Sequence, residues 1–311
     1  MLQSRAMMKK MITAALLVLA TLASGCGGDK APAAHSGTQA PASASPTSRP
    51  APSASATLTA SKTPTVYLLG GSSARESVIT KASWTAQIKR LGGGTVRTYD
   101  LGSLNQSYAR DTRLVAAMPP GPALVLIGVT VGRYTGSPAD DTAGLATYDP
   151  KAALAAAAGG EIQHRYTVSK TPGATRQQTM LPTSKKLTLL NRWMTERYPL
   201  FRANYAYNAG MLETLVEECR RRGFHPVLLV LPINLPLIGH AFAAPMARYR
   251  ADGRVLAARY GIPFVDFVAQ VGLANHDFYD LFHLVEPGRI KWQARLSREV
   301  VALLDQYGMT K

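Results

Sequence analysis

Cysteine is almost missing. The 311 residues contain two, Cys26 and Cys219, whose spacing offers no metal site and leaves Cys219 without a partner for a disulfide. Acidic residues are also scarce, 19 Asp and Glu against 35 Lys and Arg, giving a formal charge of +16. Long apolar runs are few. The one near the N-terminus, Ala14 to Ala20, is too short to span a membrane comfortably, no second one follows, and no internal repeat is visible.

Against these absences stand two short segments at opposite ends of the globular part, Leu69-Gly70-Gly71-Ser72-Ser73 and Asp280-Leu281-Phe282-His283. A serine hydroxyl is a weak nucleophile at neutral pH. It needs an imidazole to take its proton and an acid group to hold that imidazole in one tautomer. Ser72, His283 and Asp280 fit those three roles. Taken alone, the Gly-Gly-Ser-Ser stretch is equally a strand-to-helix turn in which Ser72 or Ser73 caps the helix.

The two segments resemble the motifs of SGNH (GDSL-like) hydrolases, in which the nucleophile sits in a Gly-Asp-Ser turn and the acid and base are spaced Asp-x-x-His near the C-terminus. Gly71 stands where the family has Asp, whereas the Asp280 to His283 spacing matches without adjustment. The resemblance covers roughly residues 64 to 307, with the middle of the chain unmatched. It implies an oxyanion hole built from the Ser72 backbone amide, a glycine in a second block (Gly102) and an Asn in a Gly-x-Asn third block. The third block reads Gly128-Val129-Thr130, so Thr130 replaces the Asn; Asn105, three residues past Gly102, is a candidate to reach in instead.

Short apolar runs rich in branched residues at Thr65–Leu69, Thr95–Tyr99, Ala123–Ile127, Pro226–Leu231 and Ile262–Val265 read as strands buried on both faces. Helix-like stretches lie between them, about 75 to 91, 104 to 117, 204 to 222 and 245 to 260, with a last one after Pro287. This alternation predicts an α/β fold, a three-layer α/β/α sandwich around a central, mainly parallel five-stranded sheet, the flavodoxin-like arrangement of the SGNH fold. Ligands bind outside the carboxyl ends of such strands, and the candidate residues all fall there. The other histidines are weaker bases: His35 lies in a linker, His225 precedes a strand, His164 and His240 sit in loops, and His276 lacks the spacing. Asp266 reads as a turn residue.

Arg5, Lys9 and Lys10 precede the apolar run, and Leu22-Ala23-Ser24-Gly25-Cys26 follows it. That is the layout of a secretory signal, and its end resembles the lipobox of bacterial lipoproteins. The resemblance implies residues 1–25 as signal peptide, Cys26 as the lipid-carrying first residue, and an extracytoplasmic protein anchored to the outer face of the cell membrane. Ala, Pro, Ser and Thr dominate residues 27 to about 62, a linker of roughly 33 Å mean span and roughly 110 Å limit. Residues 63–311 suffice for one domain.

Between the third strand and the helix near 204 lies a segment, about 131–203, without an obvious strand. From His164 to Arg202 it carries eight basic residues and one acid, Glu196. It reads as a lid or substrate-binding element, with Arg133, Tyr134, Tyr166 and Trp193 as contacts, or else as a solvated basic surface. The excess charge suits anionic wall polymers or lipid headgroups; nucleic acid is a poor partner for a tethered envelope protein, and neither cofactor nor metal is expected. The resulting expectation is a serine esterase removing O-acetyl or other O-acyl groups from an envelope carbohydrate or related ester. The alternatives are an O-acyltransferase on an envelope glycan and a non-catalytic domain that binds acylated polymer.

Overall fold

The computed structural model describes residues 62–158 and 180–310. The expected signal segment, Cys26, the expected linker, His164 and Tyr166 lie outside them, and the described residues all belong to one unit. Five strands, β1 (Thr65–Leu69), β2 (Arg97–Asp100), β3 (Ala123–Val129), β4 (His225–Val230) and β5 (Phe264–Val265), form one sheet in the order β2-β1-β3-β4-β5. Every pairing is parallel, with Thr65 opposite both Arg97 and Ala123, Leu124 opposite His225, and Leu228 opposite Phe264. All residues of β1 and β3 are buried, as continuous apolar strands must be when both faces are covered.

The helices are α1 (Ser72–Arg75), α2 (Lys81–Arg90), α3 (Tyr108–Ala117), α4 (Pro138–Ala146), α5 (Pro150–Ala158), α6 (Thr183–Arg192), α7 (Tyr198–Arg221), α8 (Leu235–Ile238), α9 (Ala243–Tyr260) and α10 (Glu286–Gln306). Among them α2 packs on α10, α3 packs on α7 and α5, and α9 lies against β4 and β5. Local chemistry sets several of the starts. Thr80 and Ser83 form a capping box at α2, Ser137 and Asp140 another at α4, and Ser107 caps α3. The stretch expected as one helix from 75 to 91 is broken because the Ser77 hydroxyl turns back to the Ala74 carbonyl at 2.7 Å before Thr80 opens α2.

The segment expected as a lid is largely helical where it is described. A 3-10 turn (Val131–Tyr134), α4 and α5 follow β3, and α6 runs through a π turn (Trp193–Arg197) into α7. The run continues through Pro199, which lies immediately after the π turn. The strand order places β2 on one side of β1 and β3 on the other. The chain therefore leaves β1 and β3 in opposite directions, opening a crevice between their carboxyl ends. Ser72 follows β1 and Thr130 follows β3.

Candidate active site

Ser72 is the first residue of α1, at the end of a tight turn out of β1. Gly70 has φ +150°, and a Cβ there would lie 2.8 Å from the Ala74 Cβ, so the turn requires glycine. In the first turn of a helix the backbone N–H groups have no intrahelical acceptor, and Ser72 and Ser73, in the first turn of α1, both border the cleft. Ser73 itself is 6% exposed.

The Asp280-x-x-His283 spacing follows from the turn it builds. Asp280 Oδ1 accepts the backbone N–H groups of Phe282 and His283 at 2.9 and 3.0 Å, and the same carboxylate meets His283 Nδ1 at 2.8 and 2.9 Å. Below it the chain forms a narrow hairpin, with a Phe278 to Leu284 antiparallel bridge and the Tyr279 N–H donating to the His283 carbonyl at 2.7 Å. The ring's other nitrogen, Nε2, lies 2.9 Å from Ser72 Oγ. Burial alone would raise the Asp280 carboxyl, but the adjacent His283 and the donors to its oxygens outweigh it and hold the group down at about 2. Asp280 is therefore ionised across the neutral range.

Around this line of three lies a cleft of about 450 Å³, lined among others by Ser72, Asn105, Gln106, Thr130, Asp140 and His283. Thr130 borders it and is 6% exposed. Asn105 is exposed there in the left-handed region, φ +52°, which Asn tolerates better than most residues. Gly102 stands beside the nucleophile turn as expected, and a Cβ on it would lie 2.6 Å from the Arg75 backbone nitrogen. Its N–H, however, donates to Asp100 Oδ1 at 3.0 Å, so an oxyanion would have to share that donor with a carboxyl group. Gly128 is a packing glycine, since a Cβ there would meet Leu231 Cδ1 at 2.7 Å and the Leu69 carbonyl at 2.8 Å.

Asp100 belongs to a charged cluster behind the serine that no sequence pattern announced. Burial pushes its carboxyl up to about 7, against the lowering effects of the Gly102 N–H and the Arg289 and Arg75 charges. Glu76, one helical turn past Ser72 and 3% exposed, brings Oε1 to 3.6 Å from His283 Nε2. Its carbonyl accepts from Arg289 Nε at 2.7 Å. For Asp100, a folded-state value above the unfolded one stabilises the fold below about pH 4, and that contribution is lost as pH rises through about 7. Three units at about 1.4 kcal/mol each bound the loss at about 4 kcal/mol. Asp100→Asn keeps an oxygen for Gly102 and removes the titration, so its stability relative to wild type, measured by urea unfolding, should rise between pH 5 and 8.

Several expected contacts turn out otherwise. Arg133 borders the cleft, but its guanidinium is committed to the Asp111 carboxylate and to the Gly128 carbonyl at 2.8 Å, and stacks 3.8 Å over the Tyr108 ring. Tyr134 is a core residue, stacked on Tyr205 at 4.9 Å. Trp193 packs on Phe242 at 4.3 Å. Among the rival bases, His225 begins β4 stacked on Tyr307, while His240 and His276 are exposed. Asp266 pairs with Arg250 at 2.8 Å.

A parallel sheet in the order 2-1-3-4-5, with a serine at the first strand's exit hydrogen-bonded to the histidine of an Asp-x-x-His turn just before the last helix, decides the architecture. The fold is a parallel α/β sandwich whose serine turn and Asp-x-x-His turn resemble those of the SGNH hydrolases. No family model and no curated protein matches the sequence. Similar solved structures include the acetylxylan esterase Axe2 of Geobacillus stearothermophilus, at 12% identity and a TM-score of 0.44, covering 76% of this chain and 93% of that one. A Bacteroides fragilis protein assigned as an acylhydrolase is 14% identical with a TM-score of 0.38, over 77% and 88% of the two chains. A Desulfitobacterium hafniense protein assigned to the G-D-S-L lipolytic family is 12% identical with a TM-score of 0.38, over 76% and 98%.

Proposed function

We propose that this chain is a serine esterase of the SGNH type that removes O-acetyl or other short O-acyl groups from a carbohydrate of the cell envelope, working from a lipid anchor at Cys26. The observation that carries the reading is the 2.9 Å contact between Ser72 Oγ and His283 Nε2, with the Asp280 carboxylate behind the ring. In this reaction Ser72 Oγ attacks the ester carbonyl carbon while its proton passes to His283 Nε2. The Asp280 carboxylate stabilises the imidazolium, and the tetrahedral oxyanion meets the first-turn amides of α1, assisted by Thr130 and Asn105. Collapse expels the sugar alkoxide, which takes the proton from His283. Water, deprotonated by the same nitrogen, then releases the acid and restores the serine.

The cleft walls favour a polyhydroxylated alcohol over a long acyl chain. Asn105, Gln106, Ser107, Arg110, Asp140 and Arg197 supply donors and acceptors of both kinds. The test is acid release by the full-length protein from a short-chain aryl ester and from O-acetylated oligosaccharides, with a second sugar present as acceptor. Hydrolysis of both, with Ser72 labelled by a fluorophosphonate, supports the esterase. Acetyl appearing on the added sugar instead of in water makes the chain an acyltransferase, and silence in every assay, labelling included, leaves a binding domain.

For the anchor, Cys26→Ser should abolish incorporation of radiolabelled palmitate and move the protein from the membrane to the soluble extracytoplasmic fraction. Retention of the label in that variant would remove Cys26 from the account.

A further inference from the structure

The loop that carries Asp280 and His283 is gripped from outside by a residue that belongs to neither motif. Lys186, in α6, is 0% exposed. Its ammonium donates to the Asn275 carbonyl at 2.7 Å, to Asn275 Oδ1 at 3.0 Å and to the Phe278 carbonyl at 2.7 Å. An ammonium has three N–H donors, and these contacts use all three. Phe278 lies in the stem of the hairpin, where it pairs with Leu284 across five residues that include the catalytic turn, and Asn275 opens the 3-10 turn (Asn275–Asp277) that leads into that stem.

The same grip extends on either side. The Leu181 N–H donates to the Tyr279 carbonyl at 3.0 Å, and Asn275 Nδ2 donates to Thr183 Oγ1 at 3.2 Å. Asn234, after β4, donates its N–H to the Leu281 carbonyl at 3.0 Å. Its Nδ2 donates to Asn275 Oδ1 at 2.9 Å and to the Asp280 carbonyl at 3.1 Å.

We infer that Lys186 is a positioning residue for the triad, holding the Asp280–His283 turn at hydrogen-bonding distance from Ser72. Burying an ammonium without a carboxylate in direct contact is costly, and a structural site could be filled more cheaply by Met or Leu. An apolar side chain here would leave the carbonyls of Asn275 and Phe278 without the lysine donor and the Asn275 side-chain oxygen with Asn234 Nδ2 alone. Burial lowers the Lys186 ammonium, and the negative charge of Asp280 works in the opposite direction, so the lysine also favours the ionised Asp280 that the imidazolium needs. A displacement of the order of 1 Å in such a group can cost about 10²-fold in rate. One residue of the basic segment thus serves as a brace beneath the catalytic turn.

This inference rests on the esterase reading, so wild-type turnover and fluorophosphonate labelling are measured first. Failure of both there sinks that reading itself. With an active wild type, Lys186→Met should lower kcat for an aryl ester by about 10²-fold with KM within threefold, and slow the labelling of Ser72 in parallel. In Lys186→Ala, millimolar ethylammonium should restore at least tenfold of the loss, whereas tetramethylammonium, which has no N–H, should restore none. Asn275→Ala removes one of the three acceptors at a half-buried position and should lower kcat by a smaller factor, again at constant KM; it reports even where the Lys186 variants fail to fold. Folded Lys186→Met with wild-type kcat, an alanine variant indifferent to ethylammonium, or an Asn275→Ala protein with unchanged kcat would each overturn the assignment.

Discussion

Ser72→Ala should lower kcat for a short-chain ester by about 10⁶-fold, leave KM within a few-fold, and abolish fluorophosphonate labelling, as loss of a triad nucleophile does. Ser73→Ala should retain most of the activity. The two serines are neighbours in the same turn, and the difference between them is geometric. Ser72 Oγ is the atom 2.9 Å from His283 Nε2, while Ser73 is buried in the second position of α1. Because serine and histidine act as a unit, Ser72→Ala combined with His283→Ala should be no slower than either alone. Thermal unfolding should change little in Ser72→Ala, since no buried partner loses more than one exposed-side hydrogen bond. If Ser73→Ala is the silent variant and Ser72→Ala turns over, the nucleophile has been misplaced by one residue and the Nε2 contact has no catalytic meaning.

The sheet was legible because its strands announce themselves by composition. Val66, Leu68, Leu124 and Ile127 are fully buried, and continuous branched runs of that length are compatible with little else once helical stretches separate them. Edges were less legible. The second strand sits at Arg97–Asp100 rather than Thr95–Tyr99, and the fifth shrinks to Phe264 and Val265, next to a proline that has no N–H to give the ladder. The segment after β3, read as a lid or a basic surface for want of strands, is largely helical where it is described. Its helix signals are local: the alanine run Ala152–Ala158 falls in α5, and the Ser137-Pro138 start with Asp140 at the third position opens α4.

In the site, what could be read was what local spacing dictates. Asp280 and His283 must be three apart because one carboxylate serves the turn's amides and the ring of the same turn. What could not be read depends on neighbours distant in sequence. Lys186 meets acceptors 89 and 92 positions away, Arg133 is neutralised by Asp111 22 positions upstream, and Glu76 reaches a histidine at the other end of the chain. A basic residue in an unassigned segment looks like surface until its partners are placed. The same applies to Gly102, whose backbone position follows from the motif while the acceptor of its N–H depends on how the Asp100 side chain folds back over its own turn.

Asp280→Asn should lower kcat by about 10⁴-fold while leaving KM and the fold intact, a loss measurable by single-turnover acylation as well as steady state. In the wild type, one carboxylate oxygen is occupied by the Phe282 and His283 amides, and both oxygens face Nδ1. Those amides are donors, so they select the carbonyl oxygen of the asparagine and turn its NH₂ toward the ring. An NH₂ can only be accepted by an unprotonated Nδ1, which moves the imidazole proton to Nε2. That nitrogen then points a hydrogen at Ser72 instead of a lone pair and cannot take the serine proton. The stability signature has a definite sign: a carboxyl held at about 2 against 3.8 in the unfolded chain stabilises the protein at neutral pH by about 2 kcal/mol. This contribution is present above about pH 4 and disappears as pH falls through about 2. Asp280→Asn should therefore be less stable than wild type at pH 7 and approach it at pH 2, with the difference read from urea midpoints at each pH. An asparagine variant that keeps wild-type kcat would mean that His283 needs no tautomer control, and the role assigned to Asp280 would fall.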